Sequence, residues 1–181
     1  MEVPETIDEL YEVLKLFAST DCNGNGKQDE IPAVGQVGPS NTTTATTTSD
    51  LPSWLLNNWQ YVDDATVFTV EDGTVTFPYI TDAYREGLKA LNSLVDEGLL
   101  STLCWTMAAG SKEMNSVWCP ADGVAIAGVV SGSMSGAMIN DSPVMYEYEP
   151  LPPFNYAPMT ALIPTAYTYI TEDCEYPEEA F

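Results

Sequence analysis

Between Asp21 and Glu30 the chain sets oxygen-bearing residues at alternate positions, Asp21, Asn23, Asn25, Lys27 and Asp29, with Gly24 and Gly26 interleaved. A hard cation takes about six to eight oxygen ligands, and a short loop supplies them when its odd positions curl their donors toward one centre. Asp21, Asn23 and Asn25 suit the first three such places, the main-chain carbonyl of Lys27 the fourth, and Asp29 the fifth. In a helix-loop-helix calcium motif the closing Glu comes at the twelfth residue. Here that residue is Pro32, and the available closing carboxylate is Glu30, at the tenth. The pattern predicts a shortened calcium loop over 21–30, with Asp21, Asn23, Asn25, Lys27, Asp29 and Glu30 as ligands to a structural Ca²⁺. The competing reading is a polar turn in which Asn and Gly supply positive φ.

Composition removes several function classes. The chain has 181 residues, enough for one domain with a sizeable core. With 27 acidic against 5 basic residues its formal charge is -22. Nucleic acid and anionic membrane surfaces both require clustered Lys and Arg, which are absent, so neither is expected as a partner. There is no His, which excludes Ser-His-Asp triads, His-ligated zinc and imidazole general bases. Cys22, Cys104, Cys119 and Cys174 are too dispersed for a paired C-x-x-C site. A Cys104–Cys119 disulfide and buried free thiols both remain open on this evidence. No apolar run reaches the roughly 18 residues of a membrane span, and no secretion signal opens the chain. The start at Met1 and the end at Phe181 give the expectation of a piece of a longer protein.

The loop has a well-specified helix in front of it. Thr6 with Glu9 has the form of a capping box, and Ile7, Leu10, Tyr11, Leu14 and Phe17 recur at helical spacing. From about residue 33 to 53 a Thr-rich tract without apolar period predicts a mobile loop. A short helix is expected after Pro52, through Leu55 to Tyr61. Val67–Glu71 and Thr74–Phe77 around Asp72-Gly73 read as a hairpin, since Asp-Gly supplies the positive φ of a tight turn. A second helix spans Thr81 to about Glu97 with Tyr84, Leu88, Leu91 and Val95 on one face, stopped by Gly98. Gly123–Gly128, Tyr146–Leu151 and Ala161–Ile163 are candidate strands. Helices and strands alternate, which predicts an α/β lobe.

In this order the features resemble the extracellular solute-binding proteins of ABC importers, family 1, lipoprotein type. Val3-Pro4-Glu5-Thr6 through Phe17, followed by Asp21–Pro32, is similar to the segment after the first interlobe crossover. The alginate-binding members carry a calcium loop whose closing Glu directly follows the last Asp, as Glu30 follows Asp29. Tyr84-Arg85-Glu86-Gly87-Leu88-Lys89-Ala90-Leu91-Asn92 through Glu97-Gly98-Leu99-Leu100 is similar to a second family stretch. Asp122–Gly128 and Tyr146–Pro153 resemble its glycine-bounded strand and return strand, a pattern generic to the superfamily.

The resemblance implies a periplasmic-binding-protein-like type II fold, a mixed sheet flanked by helices, with 1–181 forming a single lobe of a bilobate receptor. It implies an oligosaccharide or other small solute as ligand and permease subunits as partners. The location it implies is extracellular, as a cell-surface lipoprotein, or periplasmic. Where maltodextrin binders place a stacking Trp after the strand-ending glycine, this chain has Val129, Val130 and Ser131. Ligand contacts are therefore expected from Trp54, Asn57, Trp59 and Tyr61, with Ser131 and Ser133 bonding sugar hydroxyls; the two tryptophans read equally well as core. Two other classes compete with the receptor. One is a calcium-stabilised secreted carbohydrate-active enzyme fragment using paired carboxylates. The other is a calcium docking module, which would need a duplicated loop that this chain lacks. The receptor reading predicts no catalysis.

Overall fold

The computed structural model describes residues 3–38, 48–62, 68–108, 112–118, 120–131, 142–151 and 154. Helix α1 covers Ile7–Ser19, capped by Thr6, whose hydroxyl accepts from Glu9 N–H at 3.2 Å. The expected capping box is displaced by one residue, because the Glu9 carboxylate accepts from Glu5 N–H, at 2.8 Å, rather than from Thr6. The next elements are β1 (Ile31–Val34), β2 (Val37–Gly38), β3 (Thr48–Ser49) and α2 (Asp50–Leu56). After them come β4 (Thr69–Glu71), β5 (Thr74–Thr76), α3 (Asp82–Asp96), α4 (Lys112–Trp118) and β6 (Ala127–Val130). Single 3₁₀ turns at Pro78–Ile80, Thr102–Trp105 and Pro143–Tyr146 join them. Among the described residues no helix is long and apolar enough to cross a membrane.

Strand β1 is the axis. β6 pairs with it in parallel, Ile31 beside Ala127, Ala33 beside Val129 and Val34 beside Val130. The segment from Ser101 to Ala108 runs along the other edge: Ser101 N–H donates to Ala33 O at 2.9 Å, Val37 N–H donates to Met107 O at 2.8 Å, and Val37 bridges Ala108 in parallel. Successive strand residues point to opposite faces. Ala33 accordingly joins a core with Leu10 and Leu14 of α1, Leu55 of α2 and Leu91 of α3, whereas Val34 joins a second core with Met107, Met114 and Trp118. The sheet thus lies between two layers, the mixed α/β arrangement that alternating elements predict.

Local chemistry fixes the ends of the elements. In the β4–β5 hairpin Asp72 (φ 49°) and Gly73 (φ 76°) occupy the two left-handed positions of a tight turn. Helix α3 ends in a Schellman arrangement, with Gly98 at φ 73°, Leu99 N–H on Leu94 O and Gly98 N–H on Val95 O. Its buried residues are Gly87, Leu91 and Leu94, while Leu88, expected on the inner face, is 45% exposed. The apolar face is rotated because Gly87 meets α2: a Cβ there would lie 2.9 Å from Leu56 Cδ2.

Several sequence expectations change. The stretch from about 33 to 53 is not one mobile loop, because it contains β1, the antiparallel β2–β3 pair and the start of α2; residues 39–47 lie outside the described part. Helix α2 begins at Asp50, two residues before Pro52, which sits in the first turn where its missing N–H costs nothing. The expected strand over Gly123–Gly128 is shifted to Ala127–Val130. Tyr146–Leu151 is not a strand: a 3₁₀ turn ends at Tyr146, and the Tyr148 hydroxyl lies 3.1 Å from Ala127 O and 3.3 Å from Trp118 O, tying α4 to β6. Ala161–Ile163 falls outside the described residues. Cys104 is a free, fully buried thiol whose Sγ accepts from Gly35 N–H at 3.0 Å, so the Cys104–Cys119 bridge is not formed.

Gly128 is the tightest point of the sheet. A Cβ on it would lie 2.8 Å from the main-chain oxygen of Pro32 and 2.9 Å from the ring of Phe17. Backbone on one side and a ring on the other leave no flexible atom to yield. Gly128→Ala is therefore expected to cost about 1–3 kcal/mol of stability by overpacking, read as a lower urea midpoint with an unchanged m-value.

Candidate functional site

The loop over 21–30 folds inward by hydrogen bonds to its own backbone. Asp21 Oδ1 and Oδ2 accept from Asn25 N–H (3.1 Å) and Gly26 N–H (2.8 Å), Asn23 Oδ1 also accepts from Asn25 N–H (3.0 Å), and Asn25 Oδ1 accepts from Lys27 N–H (2.7 Å). Gly24 and Gly26, at φ 71° and 80°, supply the left-handed backbone this curl requires. Asn25 Nδ2 donates to the Asp29 carboxylate at 3.1 Å. Two contacts anchor the loop to the fold: Gln28 Nε2 donates to Ala18 O at the end of α1, and Asn23 Nδ2 to Ala125 O just before β6, both at 2.9 Å.

Glu30 closes the loop. Its Oε1 accepts from Cys22 N–H at 2.6 Å and from Asn23 N–H at 3.3 Å, while its Oε2 is shielded from solvent and has no hydrogen-bond partner. An unpaired buried carboxylate oxygen is costly unless a cation, a proton or a water meets it. Among the described residues no three Asp, Glu or Cys side chains converge closely enough to hold a metal by themselves. A cation here would need the mixed set of Asp21, Asp29 and Glu30 with the neutral oxygens of Asn23, Asn25 and the Lys27 carbonyl, the donor chemistry of a hard ion. Partial burial, then the Glu30 and Asp21 carboxylates, push the Cys22 thiol above its ordinary range.

This loop lies before the amino end of β1. At the opposite edge both parallel strands finish, β1 into Gly35-Gln36 and β6 into Ser131, with Ala108 bridged beside Val37. In open parallel α/β sheets ligands lie outside the carboxyl ends of the strands.

The expected ligand residues divide accordingly. Ser131 is at that edge, half-buried, and Ser133 lies outside the described residues. Trp54 is half-buried on α2 against the first core, edge-on to Phe154 with ring centroids 5.3 Å apart. Trp59 packs on α3, where a Cβ on Gly87 would lie 3.3 Å from the Trp59 Cβ. Asn57 Oδ1 accepts from Val62 N–H at 3.1 Å, bracing the turn that carries half-buried Tyr61. A cleft of about 200 Å³ between α1 and α3, lined by Ile7, Leu10, Tyr11, Trp59 and Leu94, is below the roughly 300 Å³ at which ligand pockets begin. The Tyr11 hydroxyl donates to the Glu97 carboxylate at its rim. Sequence reasoning missed Gly35-Gln36 and the Thr106–Ala108 segment, because the strand leading to the first contains a proline and the second carries no chemical motif.

No protein-family model matches the chain. It is 34% identical over 100 residues to the fructooligosaccharide ABC transporter substrate-binding protein FusA of Streptococcus pneumoniae serotype 4, covering 55% of this chain and 17% of that protein. To the lipoprotein LipO of Bacillus subtilis it is 33% identical over 109 residues, 56% of this chain and 18% of LipO. An extracellular solute-binding protein from Bifidobacterium longum subsp. infantis superposes with a TM-score of 0.58 at 30% identity, over 81% of this chain and 28% of that one. The chain is related to the extracellular solute-binding proteins. An HMO-binding, ABC-transporter-associated solute-binding protein of the same Bifidobacterium also superposes, with a TM-score of 0.55 at 26% identity, covering 78% and 29%. The chain spans less than a fifth of the length of the curated relatives it matches. The chain itself has the expected fold class, helices with an open parallel sheet, and superposes on these solute-binding proteins.

Packing predicts how Trp59 behaves. Trp59→Ala empties the seam between α2 and α3 and is expected to cost about 3 kcal/mol, the low end for a truncated Trp. Urea unfolding measures the loss. A wild-type midpoint would show that the ring contributes little to this seam.

Proposed function

We propose that the chain forms part of one lobe of an extracellular ABC-importer receptor that captures an oligosaccharide and delivers it to permease subunits, without catalysis. The observation that carries this reading is the structural match at 30% identity over 81% of the chain to a solute-binding protein. A bilobate receptor works by hinge closure, in which a ligand touching both lobes favours the closed state. The strand ends at Gly35-Gln36 and Ser131 would form this lobe's face of the cleft. The relatives are binding proteins, and an enzyme with paired carboxylates is not favoured. A receptor on the outer surface, anchored as a lipoprotein or held in the periplasm, follows from the same kinship.

The loop over 21–30 is proposed to hold a structural Ca²⁺ through Asp21, Asn23, Asn25, the Lys27 carbonyl, Asp29 and Glu30. The solvent-shielded, unpartnered Glu30 Oε2 supports it. Because the loop precedes β1 and the ligand edge follows it, the ion would brace the junction of α1, β1 and β6 rather than touch the solute.

Two measurements test these readings. Isothermal titration of the full-length receptor with 1-kestose and lacto-N-tetraose should give saturable binding to at least one, with no release of reducing ends. Steady hydrolysis abolished by one Asp or Glu substitution would overturn the receptor reading. Chelator should lower the melting temperature reversibly and added calcium restore it, since a ligand bound only by the native state stabilises it by RT ln(1 + [L]/Kd). Glu30→Gln should largely abolish the calcium response, because it removes a charge from the ion's shell. A melting curve indifferent to calcium and chelator would leave the loop as a polar turn.

A further inference from the structure

We infer that the cleft between α1 and α3 is a docking pocket for one arginine side chain of a basic protein partner. It lies in the helical layer rather than at the strand ends, so the inference stands whatever the solute is. Leu10 and Leu14 of α1 and Leu94 of α3 line the cleft and are buried, while half-buried Tyr11 and Trp59 bring two aromatic rings to it. Its volume of about 200 Å³ is short of what a whole ligand occupies and leaves room for a side chain. Interfaces concentrate their energy in such small pockets, each filled by an aromatic or arginine anchor.

The rim selects between those anchors. Two exposed carboxylates stand there, Asp8 of α1 and Glu97 at the end of α3. Glu97 accepts from the Tyr11 hydroxyl through one oxygen, Oε2. The ion pairs of these helices, Lys15–Glu12, Arg85–Asp82 and Lys89–Glu86, include neither acid. Lys15 Nζ stands 4.0 Å from the Tyr11 ring centroid, so the ring already draws a cation from its own helix. An apolar floor suits a long apolar stem, the rings suit a cation that stacks, and the two acids suit a head rich in donors. Arginine combines all three: its planar guanidinium stacks on aromatic faces, bonds carboxylates through two donors at once, and is more weakly hydrated than an ammonium.

A second copy of this chain is a poor source of that side chain. Its single arginine is Arg85, held by Asp82 at 2.7 Å on its own helix, and a formal charge of -22 sets two copies apart. The same charge steers a basic partner inward.

The test uses the full-length protein labelled with 5-fluorotryptophan, the Trp59 resonance being assigned by its loss in Trp59→Phe. It is titrated with N-acetyl-arginine methylamide, with the lysine and norleucine analogues, and with free L-arginine. The capped arginine should move the Trp59 resonance saturably, about threefold more tightly than capped lysine and about tenfold more tightly than capped norleucine. Glu97→Gln should weaken it severalfold with an unchanged melting temperature, and Asp8→Asn supplies the measurement if loss of the Tyr11 contact disturbs the fold. Ser93→Leu, which fills the cleft from an exposed position on α3, should abolish the response. A Trp59 resonance indifferent to capped arginine removes the pocket. An equal response to capped norleucine, or unaltered affinity in both carboxylate variants, overturns the arginine assignment. Free L-arginine binding more tightly than the capped form makes the cleft an amino-acid site and overturns the protein partner. Each of these failures leaves the receptor reading intact.

Discussion

The parallel pairing of β1 with β6 is the interaction on which the remainder depends. It joins residues nearly a hundred positions apart, and each strand is only four residues long. So few main-chain hydrogen bonds do not hold such a pair alone, since each nets about 0.5–1.5 kcal/mol. Both faces of the pair are therefore covered. Leu10 and Leu14 of α1 join the core that includes Ala33, and Met114 and Trp118 of α4 join the one that includes Val34. Gly128 permits the closeness, because Phe17 and the Pro32 carbonyl occupy the space a side chain would need.

Fold and site chemistry meet at the two ends of this pair. At the amino end the loop over 21–30 ties the end of α1 to the approach to β6, through Gln28 on Ala18 and Asn23 on Ala125. A cation there would act on stability and on the relative placement of the strands. At the carboxyl end Gly35-Gln36 and Ser131 emerge side by side over a floor of Val34, Cys104 and Met107. The Cys104 thiol has a structural part, since its sulfur receives Gly35 N–H and a disulfide would take it from that position. In the receptor reading proposed above, one end of the strands would brace the lobe and the other would meet the solute.

Much was legible in the sequence wherever the cause is local. The Thr6 cap, the Gly98 stop and the Asp72-Gly73 turn each depend on a few neighbouring residues, and each is observed. The inward curl of the loop over 21–30 is local as well, since Asn and Asp side chains bond backbone two to five residues away. The resemblance carried the fold class further than periodicity could, because short strands carry little pattern of their own.

What only the tertiary structure decided is pairing and burial. Ile31-Pro32-Ala33-Val34 did not read as a strand, because a proline removes a ladder donor; it is one here because Ile31 N–H on Ile126 and the Ala33 carbonyl facing Ser101 secure it from both sides. Leu88, expected on the inner face of α3, is exposed because Gly87, a residue with no side chain to reveal it, turns that face toward α2. Trp54 and Trp59 read equally as sugar platform or core; both are half-buried, Trp54 against the first core and Trp59 against Gly87 of α3. Gln36 carried no motif at all. The sequence by itself determined caps, turns and the oxygen-rich loop, because those follow from neighbours along the chain; the sheet edge and the residues presented there arise from contacts between segments about a hundred residues apart, where no local signal reaches.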